Sequence, residues 1–281
     1  MRKDTEQALK GSMANVLPFA KKETAAVMEE KKKKNFGYWI LYIALPLAIL
    51  IIWEAFALAG KLKPYALPKP VKIIETTVEF IKNGQLFTNI GVSVLLVLEG
   101  FFLAFLVAFT IGISVNIFPK FDTFTDLIIQ ILKPIPPIAW IPLAILWFGI
   151  GQDSKIFIIF IGAVFPIFLN TADGVRTIDK KYFELARVYE TPKNQLVTKI
   201  IIPGALPSIL TGVRLGLGNA WVSVVAAEMI GATKGVGYML ANGRSLSRPD
   251  IVILGMLLVG IFGKLMDDFV RFLRKKIIKW N

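Results

Sequence analysis

The sequence predicts an all-α integral membrane protein with six transmembrane helices, on three observations. The 281-residue chain is 55% hydrophobic, with mean hydropathy +0.61. Several runs of about 18 or more residues carry few charges, the length a helix needs to cross hydrocarbon. The basic residues gather at the ends of those runs, as membrane topology requires.

A net charge of +13 would fit a nucleic-acid partner, but this end-of-run distribution argues against one and for a lipid bilayer. The chain has no Cys and no His. That removes disulfides, thiol chemistry, histidine-ligated metal and a histidine general base. No catalytic residue and no metal site is expected. A membrane-embedded enzyme lacks a nucleophile–base pair by spacing.

Residues 1–37 are polar and end in Lys31–Lys34. They are expected to form a basic cytoplasmic tail, since a cluster of lysines before an apolar run fixes its orientation. The first transmembrane helix is expected over 38–60, with Trp39, Tyr42 and Trp53 suited to the interfaces. Ala57-Leu58-Ala59 imitates a signal-peptidase site, but the apolar region is too long and its leader too large, so it reads as an anchor. Residues 61–89 are expected to be an external connection. Within it Ile73, Ile74, Val78 and Ile81 fall on one face of an amphipathic helix along the outer surface.

The transmembrane core is expected over 90–270. Its first span, Ile90–Phe118, carries Gly91, Gly100 and Gly112, which let helices approach closely. It also carries Glu99, an intramembrane carboxylate that suits a bundle interior or a cavity. The next apolar region, Phe124–Ile150, is broken by Pro134, Pro136, Pro137 and Pro142. Broken helix at membrane depth is tolerated only where it is buried in protein or lines a cavity. This region, with Pro137, Trp140 and Pro142, is therefore the best pointer to a translocation path. A span over Ile156–Thr171, kinked near Pro166, brings Asn170 towards its inner end. A span over Ser208–Ile230 carries Gly212, Gly216 and Gly218, with Arg214 near one end and Glu228 near the other. Arg214 is expected to snorkel. Ile251–Phe269 is the last span, followed by a basic tail over 271–281.

Six spans place both ends on one side. That side would hold 21 basic residues against nine on the other, which puts both termini and the central loop 172–207 in the cytoplasm. The loop itself has pattern. Tyr182, Leu185, Ala186 and Tyr189 recur at i, i+3, i+4, i+7, so an amphipathic helix is expected there. Thr191-Pro192 reads as an N-cap followed by proline at N1, opening a second short helix. Leu196, Val197, Ile200 and Ile201 form its apolar stripe, and Pro203-Gly204 and Pro207 end it. A folded polar element between two spans is a surface for something outside the bilayer.

This loop resembles the "EAA" loop of ABC-importer permeases. The family pattern is Glu, a small residue, Ala, three residues, Gly, nine residues, Ile, one residue, Leu, Pro. Glu184, Leu185 and Ala186 match with a substitution in the middle, and Ile200, Ile202 and Pro203 fall at the right spacing. Glu190 stands where the family has Gly. From about Leu67 onward the chain is similar to permeases of the nitrate/sulfonate/taurine/bicarbonate family, and most of all to aliphatic sulfonate permeases. The residues that carry this include Leu67-Pro68-Lys69-Pro70, Pro137-Ile138-Ala139-Trp140-Ile141-Pro142-Leu143, Phe165-Pro166-Ile167, Ala227-Glu228 and Gly235-Val236-Gly237-Tyr238. One departure is Leu96, where relatives often carry Arg.

The resemblance implies a type I ABC-importer permease fold in a prokaryotic plasma (inner) membrane. It implies a coupling site at Tyr182, Glu184, Leu185, Ala186, Val188, Tyr189, Glu190, Ile200 and Pro203, docked on ABC ATPase subunits. It also implies an extracytoplasmic substrate-binding protein and a second permease chain, as a homodimer. The sequence has no G-x-x-x-x-G-K-[ST] stretch, so ATP and Mg are expected on the partner subunit, with no cofactor on this chain. The solute would be a small anion such as sulfonate, nitrate, taurine or bicarbonate, though related members carry vitamin precursors. Path candidates are Glu99, Pro137, Trp140, Pro142, Asn170 and Glu228. The competing expectation is a secondary transporter, driven by an ion gradient through Glu99 or Glu228. It would need inverted repeats, and none is clear.

Overall fold

A computed structural model describes residues 44–61, 63, 65–117 and 119–278. The expected tail over 1–37, the interfacial Trp39 and Tyr42, and the start of the first span lie outside the described residues. The chain divides into two compact units, Met1–Pro64 and Tyr65–Asn281. In the first, helix α1 (Ala44–Leu58) is apolar, and the Lys61 ammonium lies 5.6 Å from the centre of the Phe56 ring beyond it.

In the second unit every regular element among the described residues is helical: α2 (Pro70–Lys82), α3 (Gln85–Ile117), α4 (Pro119–Leu132), a 3₁₀ turn (Pro137–Trp140), α5 (Ile141–Phe148), α6 (Gln152–Arg176), α7 (Lys180–Val188), α8 (Lys193–Leu196), a π-helical turn (Val197–Ile201), α9 (Ile202–Glu228), α10 (Val236–Ser245) and α11 (Pro249–Ile277). Four runs are long and apolar enough to cross a membrane: α3, α6, Lys193–Glu228 and α11. A fifth arises if Thr125–Leu132 and Pro137–Phe148, bent by 95°, count as one span. The expected six are not reached among the described residues. The bend falls where the prolines cluster, because Pro134, Pro136 and Pro137 each lack the N–H that would carry the helix through.

The spans begin and end outside the apolar runs that announced them. α9 starts at Ile202, not Ser208, with Pro203 in its first turn and Pro207 inside it. Those prolines therefore do not end the preceding helix. Pro203 directly follows the π-helical turn, the kind of local adjustment that lets a helix pass a residue without an N–H. The π-helical turn joins α8 to α9 without a break, so Lys193–Glu228 runs as one rod. The loop expected after the fifth span contains α10.

α3, α6 and α9 form the core, filled by Val97, Ala104, Ala108, Ile159, Ile167, Ala220, Trp221 and Val224. Leu96 is buried in the same cluster. Lipid tails are as apolar as these side chains, so helices in a bilayer associate through close packing, and small residues let backbones approach. A Cβ on Gly100 would lie 2.7 Å from the Ile159 Cβ, and one on Gly212 would lie 2.8 Å from the Asn170 Cβ. Gly91 and Gly218, expected on the same seams, face open space.

α11 closes on this core through polar links. The Trp221 indole N–H donates to the Val259 carbonyl at 2.8 Å. Arg214 donates to both carboxylate oxygens of Asp267 and is only half-exposed, so it pairs across helices rather than snorkelling. α2 buries Ile73, Thr76 and Phe80. Ile74, Val78 and Ile81, expected to share a face with Ile73, are exposed. The Thr76 hydroxyl donates to Asp250 at 2.6 Å and ties α2 to the start of α11.

Gly100→Ala is expected to lower stability by about 1–3 kcal/mol, because Ile159 has no room to retreat. Gly91→Ala is expected to be neutral or slightly stabilising. Thermal unfolding of the purified chain in one detergent separates the two, and equal effects would contradict the packing.

Candidate functional site: an exposed helix face and a buried carboxylate

The residues singled out from the sequence fall into two places. The first is α7 and the turn after it. The Asp179 carboxylate caps this helix by accepting from the Lys181 N–H at 2.9 Å. Ala186 is buried and Phe183 is half-buried against a cluster of Val175, Ile201, Ala205 and Ile209. These residues belong to the end of α6, the π-helical turn and the start of α9. α7 is therefore seated on the ends of two core helices. The expected apolar face divides differently from its 3.6-residue reading. Ala186 points inward with Phe183, which the sequence reading missed. Tyr182, Leu185, Val188 and Tyr189 point outward, with Val188 and Tyr189 each 78% exposed. Phe183 lies three residues before Ala186, a spacing that could have found it.

Glu184 and Glu190 are exposed, Ile200 is half-buried and Pro203 is exposed. Glu190 has φ of +46°. The Thr191 N–H donates to the Ala186 carbonyl at 2.9 Å, and the Glu190 N–H to the Arg187 carbonyl at 3.1 Å. These two bonds define a Schellman ending, whose left-handed residue is usually Gly. Glu190 thus keeps the turn that a glycine would make, at the steric cost of a Cβ. The short helix that follows is capped at Pro192 and begins at Lys193, one residue later than Thr191-Pro192 suggested.

The second place is the opposite end of α9. Glu228 is 1% exposed. Its carboxylate accepts from the Ser93 hydroxyl at 2.7 and 2.8 Å and from the Gly237 N–H at 2.8 Å. The Ser93 oxygen in turn accepts from the Val236 N–H at 2.9 Å, and the Asn89 Oδ1 from the Gly235 N–H at 2.8 Å. Residues of α3 and α9 thus satisfy the orphan amides at the start of α10, where negative charge is also favoured by the helix dipole. Gly235 has φ of +122°, and a Cβ there would fall on the Glu228 carboxylate. The Gly235-Val236-Gly237 run was visible in the sequence. Ser93 and Asn89 carried no signal of their own.

The other path candidates are dispersed. Glu99 is exposed on α3 and accepts from Gln152 Nε2 at 2.7 Å. Trp140 lies edge-on to Phe157, with ring centres 6.2 Å apart. Pro137 is half-buried and Pro142 exposed beside it. The Asn170 Nδ2 donates to the Pro166 carbonyl at 2.8 Å within α6. None of the six lines the cavity of about 400 Å³ between α2, α3 and α10.

Residues 84–279 match the family model described as binding-protein-dependent transport system inner membrane component. The chain belongs to that family. It is 39% identical to the putative aliphatic sulfonates transport permease protein of Bacillus subtilis, over 97% of this chain and 98% of the relative. It is 30% identical to the taurine transport system permease protein of Escherichia coli, over 83% and 86%. A chain of the MetNI methionine ABC transporter shares the helical fold at TM-score 0.52 and 20% identity, covering 64% of this chain and 91% of that one. The protein is thus a permease subunit of an ABC transporter, a transport component of an inner membrane and not an enzyme. Its fold is that of a type I importer permease.

Glu190→Gly is expected to stabilise the turn by about 1 kcal/mol by removing a Cβ from left-handed backbone. Glu228→Ala is expected to speed amide exchange at 235–237 about tenfold or more, since the cap is lost. Hydrogen exchange with mass spectrometry checks both, with α6 as the internal reference.

Proposed function

We propose that this permease imports a small anion of the sulfonate, nitrate, taurine or bicarbonate class, and that α7 is the element through which an ABC ATPase drives it. The observation that carries the proposal is the outward face of α7. Tyr182, Leu185, Val188 and Tyr189 lie exposed on a helix whose other side is anchored to the core. Lys180, Lys181 and Arg187 border it. An apolar patch rimmed by charge marks a protein-docking surface. A position between two membrane spans leaves another subunit as its partner.

In this reading ATP and Mg stay with the ATPase, and this chain binds no cofactor. The chain crosses the membrane six times, with both termini and 172–207 in the cytoplasm. The first crossing contains α1, and the bent Thr125–Phe148 segment is another. Residues 61–89 lie outside, and the chain pairs with a second copy of itself. An external binding protein delivers the solute. ATP closes the ATPase dimer, the docked α7 helices move together, and the core helices α6 and α9 follow as rigid bodies to open outward. Hydrolysis reverses the motion and releases the solute inside. The translocation path is assigned to the broken segment at Pro137, Trp140 and Pro142, with Glu99 and Asn170 as further candidates. Glu228, held by two donors, serves the path by fixing α10 rather than by touching solute.

The absence of Cys makes the test direct. Cysteines placed at Leu185 or Val188 are expected to cross-link to an ATPase subunit bearing a cysteine in its docking groove. Uptake is expected to fall at least tenfold for Leu185→Asp combined with Tyr189→Asp, while membrane insertion is retained. An assembled, active complex that gives no adduct at either position would overturn the proposal.

A further inference from the structure

The cavity between α2, α3 and α10 has a chemistry of its own. Its volume is about 400 Å³, and none of the residues lining it is acidic. Lys234, exposed in the loop before α10, is its one cation among the described residues. Asn83 and Gln85 stand at one side, and Tyr238 and Asn242 on α10 at the other. Asn89 forms part of the wall and is 7% exposed. Its Oδ1 is taken by the Gly235 N–H, so its Nδ2 is the group left over. That amide donor has no partner among the described residues. Gln85 also opens α3, a 33-residue helix with no acidic residue in its first turn, so the positive end of its dipole borders the same space.

We infer that this cavity binds a small oxyanion through Lys234 and the Asn89 amide, with the first turn of α3 behind them. The inference rests on the anion-importer reading above and adds a place for the anionic group on this chain. On the cavity lining a cation would meet Lys234 with no carboxylate to offset it. A neutral solute would leave Lys234 without a counter-charge, whereas an oxyanion satisfies the ammonium and the amide N–H together. Asn89 also holds Gly235. An anion drawn between Lys234 and Asn89 therefore ties the loop before α10 to α3, across the same clamp that Glu228 and Ser93 complete. The chemistry is that of an oxyanion on a single negative centre. A free sulfonate and a lipid phosphate both offer it, and the site is assigned to the free solute.

The test uses the full-length permease in nanodiscs of phosphatidylcholine, with methanesulfonate as probe and chloride at equal ionic strength as control. Methanesulfonate is expected to raise the unfolding temperature by about 2–4 °C at saturating concentration. Lys234→Gln is expected to weaken its apparent affinity about tenfold, and Lys234→Arg to retain it. Dimethyl sulfone, which lacks the charge, is expected to do nothing. An equal shift from chloride, an unchanged shift in Lys234→Gln, or a shift that arises only when phosphatidylglycerol is added would overturn the assignment. No ATPase is present, so failure here leaves the docking role of α7 intact, and failure of the α7 cross-link leaves this result intact.

Discussion

The close backbone approach of α3, α6 and α9 is the constraint on which the other features rest. Gly100 and Gly112 on α3, Gly162 and Gly174 on α6, and Gly212 and Gly216 on α9 each leave no room for a side chain. A bilayer supplies no hydrophobic drive between helices, so this fit must supply the attraction itself. Closely fitted helices move together or not at all, because packed cores are not continuously deformable. α7 is seated on the ends of two of them through Phe183. A push on its outer face therefore has a short mechanical route into α6 and α9. The physical warrant for coupling is this seating, not the distance it spans.

α9 joins the two ends of the molecule. Its beginning is fused through the π-helical turn to the loop that carries α7. Its last residue, Glu228, clamps the start of α10 together with Ser93 and Asn89 from α3. A carboxylate this deep would be costly without donors, and the two groups that donate to it supply them. Displacement of α9 must carry Glu228, and with it α10 and the cavity beside Lys234. One rod thus links the proposed docking face to the proposed anion site.

The fold was legible where its signal was cumulative. Apolar runs gave α3, α6, α9 and α11, and the proline cluster gave the 95° break. Helix ends were not legible from hydropathy. Pro203 and Pro207 read as terminators, yet the helix runs through both, Pro203 directly after the π-helical turn that adjusts the backbone around it. The site was legible in type but not in orientation. Tyr182, Leu185, Ala186 and Tyr189 share a helical period, but the period does not say which of them faces the protein. Only the packing of Phe183 decides it. Glu228 was named as a candidate for the translocation path. Its partners lie 135 residues away at Ser93 and nine residues ahead at Gly237. Hydropathy says nothing of either. Glu190 was the opposite case. Against the family pattern it looked like a lost glycine, and its backbone stands in the left-handed region that glycine favours.

The central claim is that the outer face of α7 is covered by an ATPase subunit in the working transporter. Hydroxyl-radical footprinting of the permease, alone and in the assembled complex, tests it most directly. Oxidation of Tyr182, Leu185 and Tyr189 is expected to fall several-fold on assembly, while Tyr238 at the other end of the molecule keeps its reactivity. Equal oxidation of the three α7 residues in both samples would contradict the account.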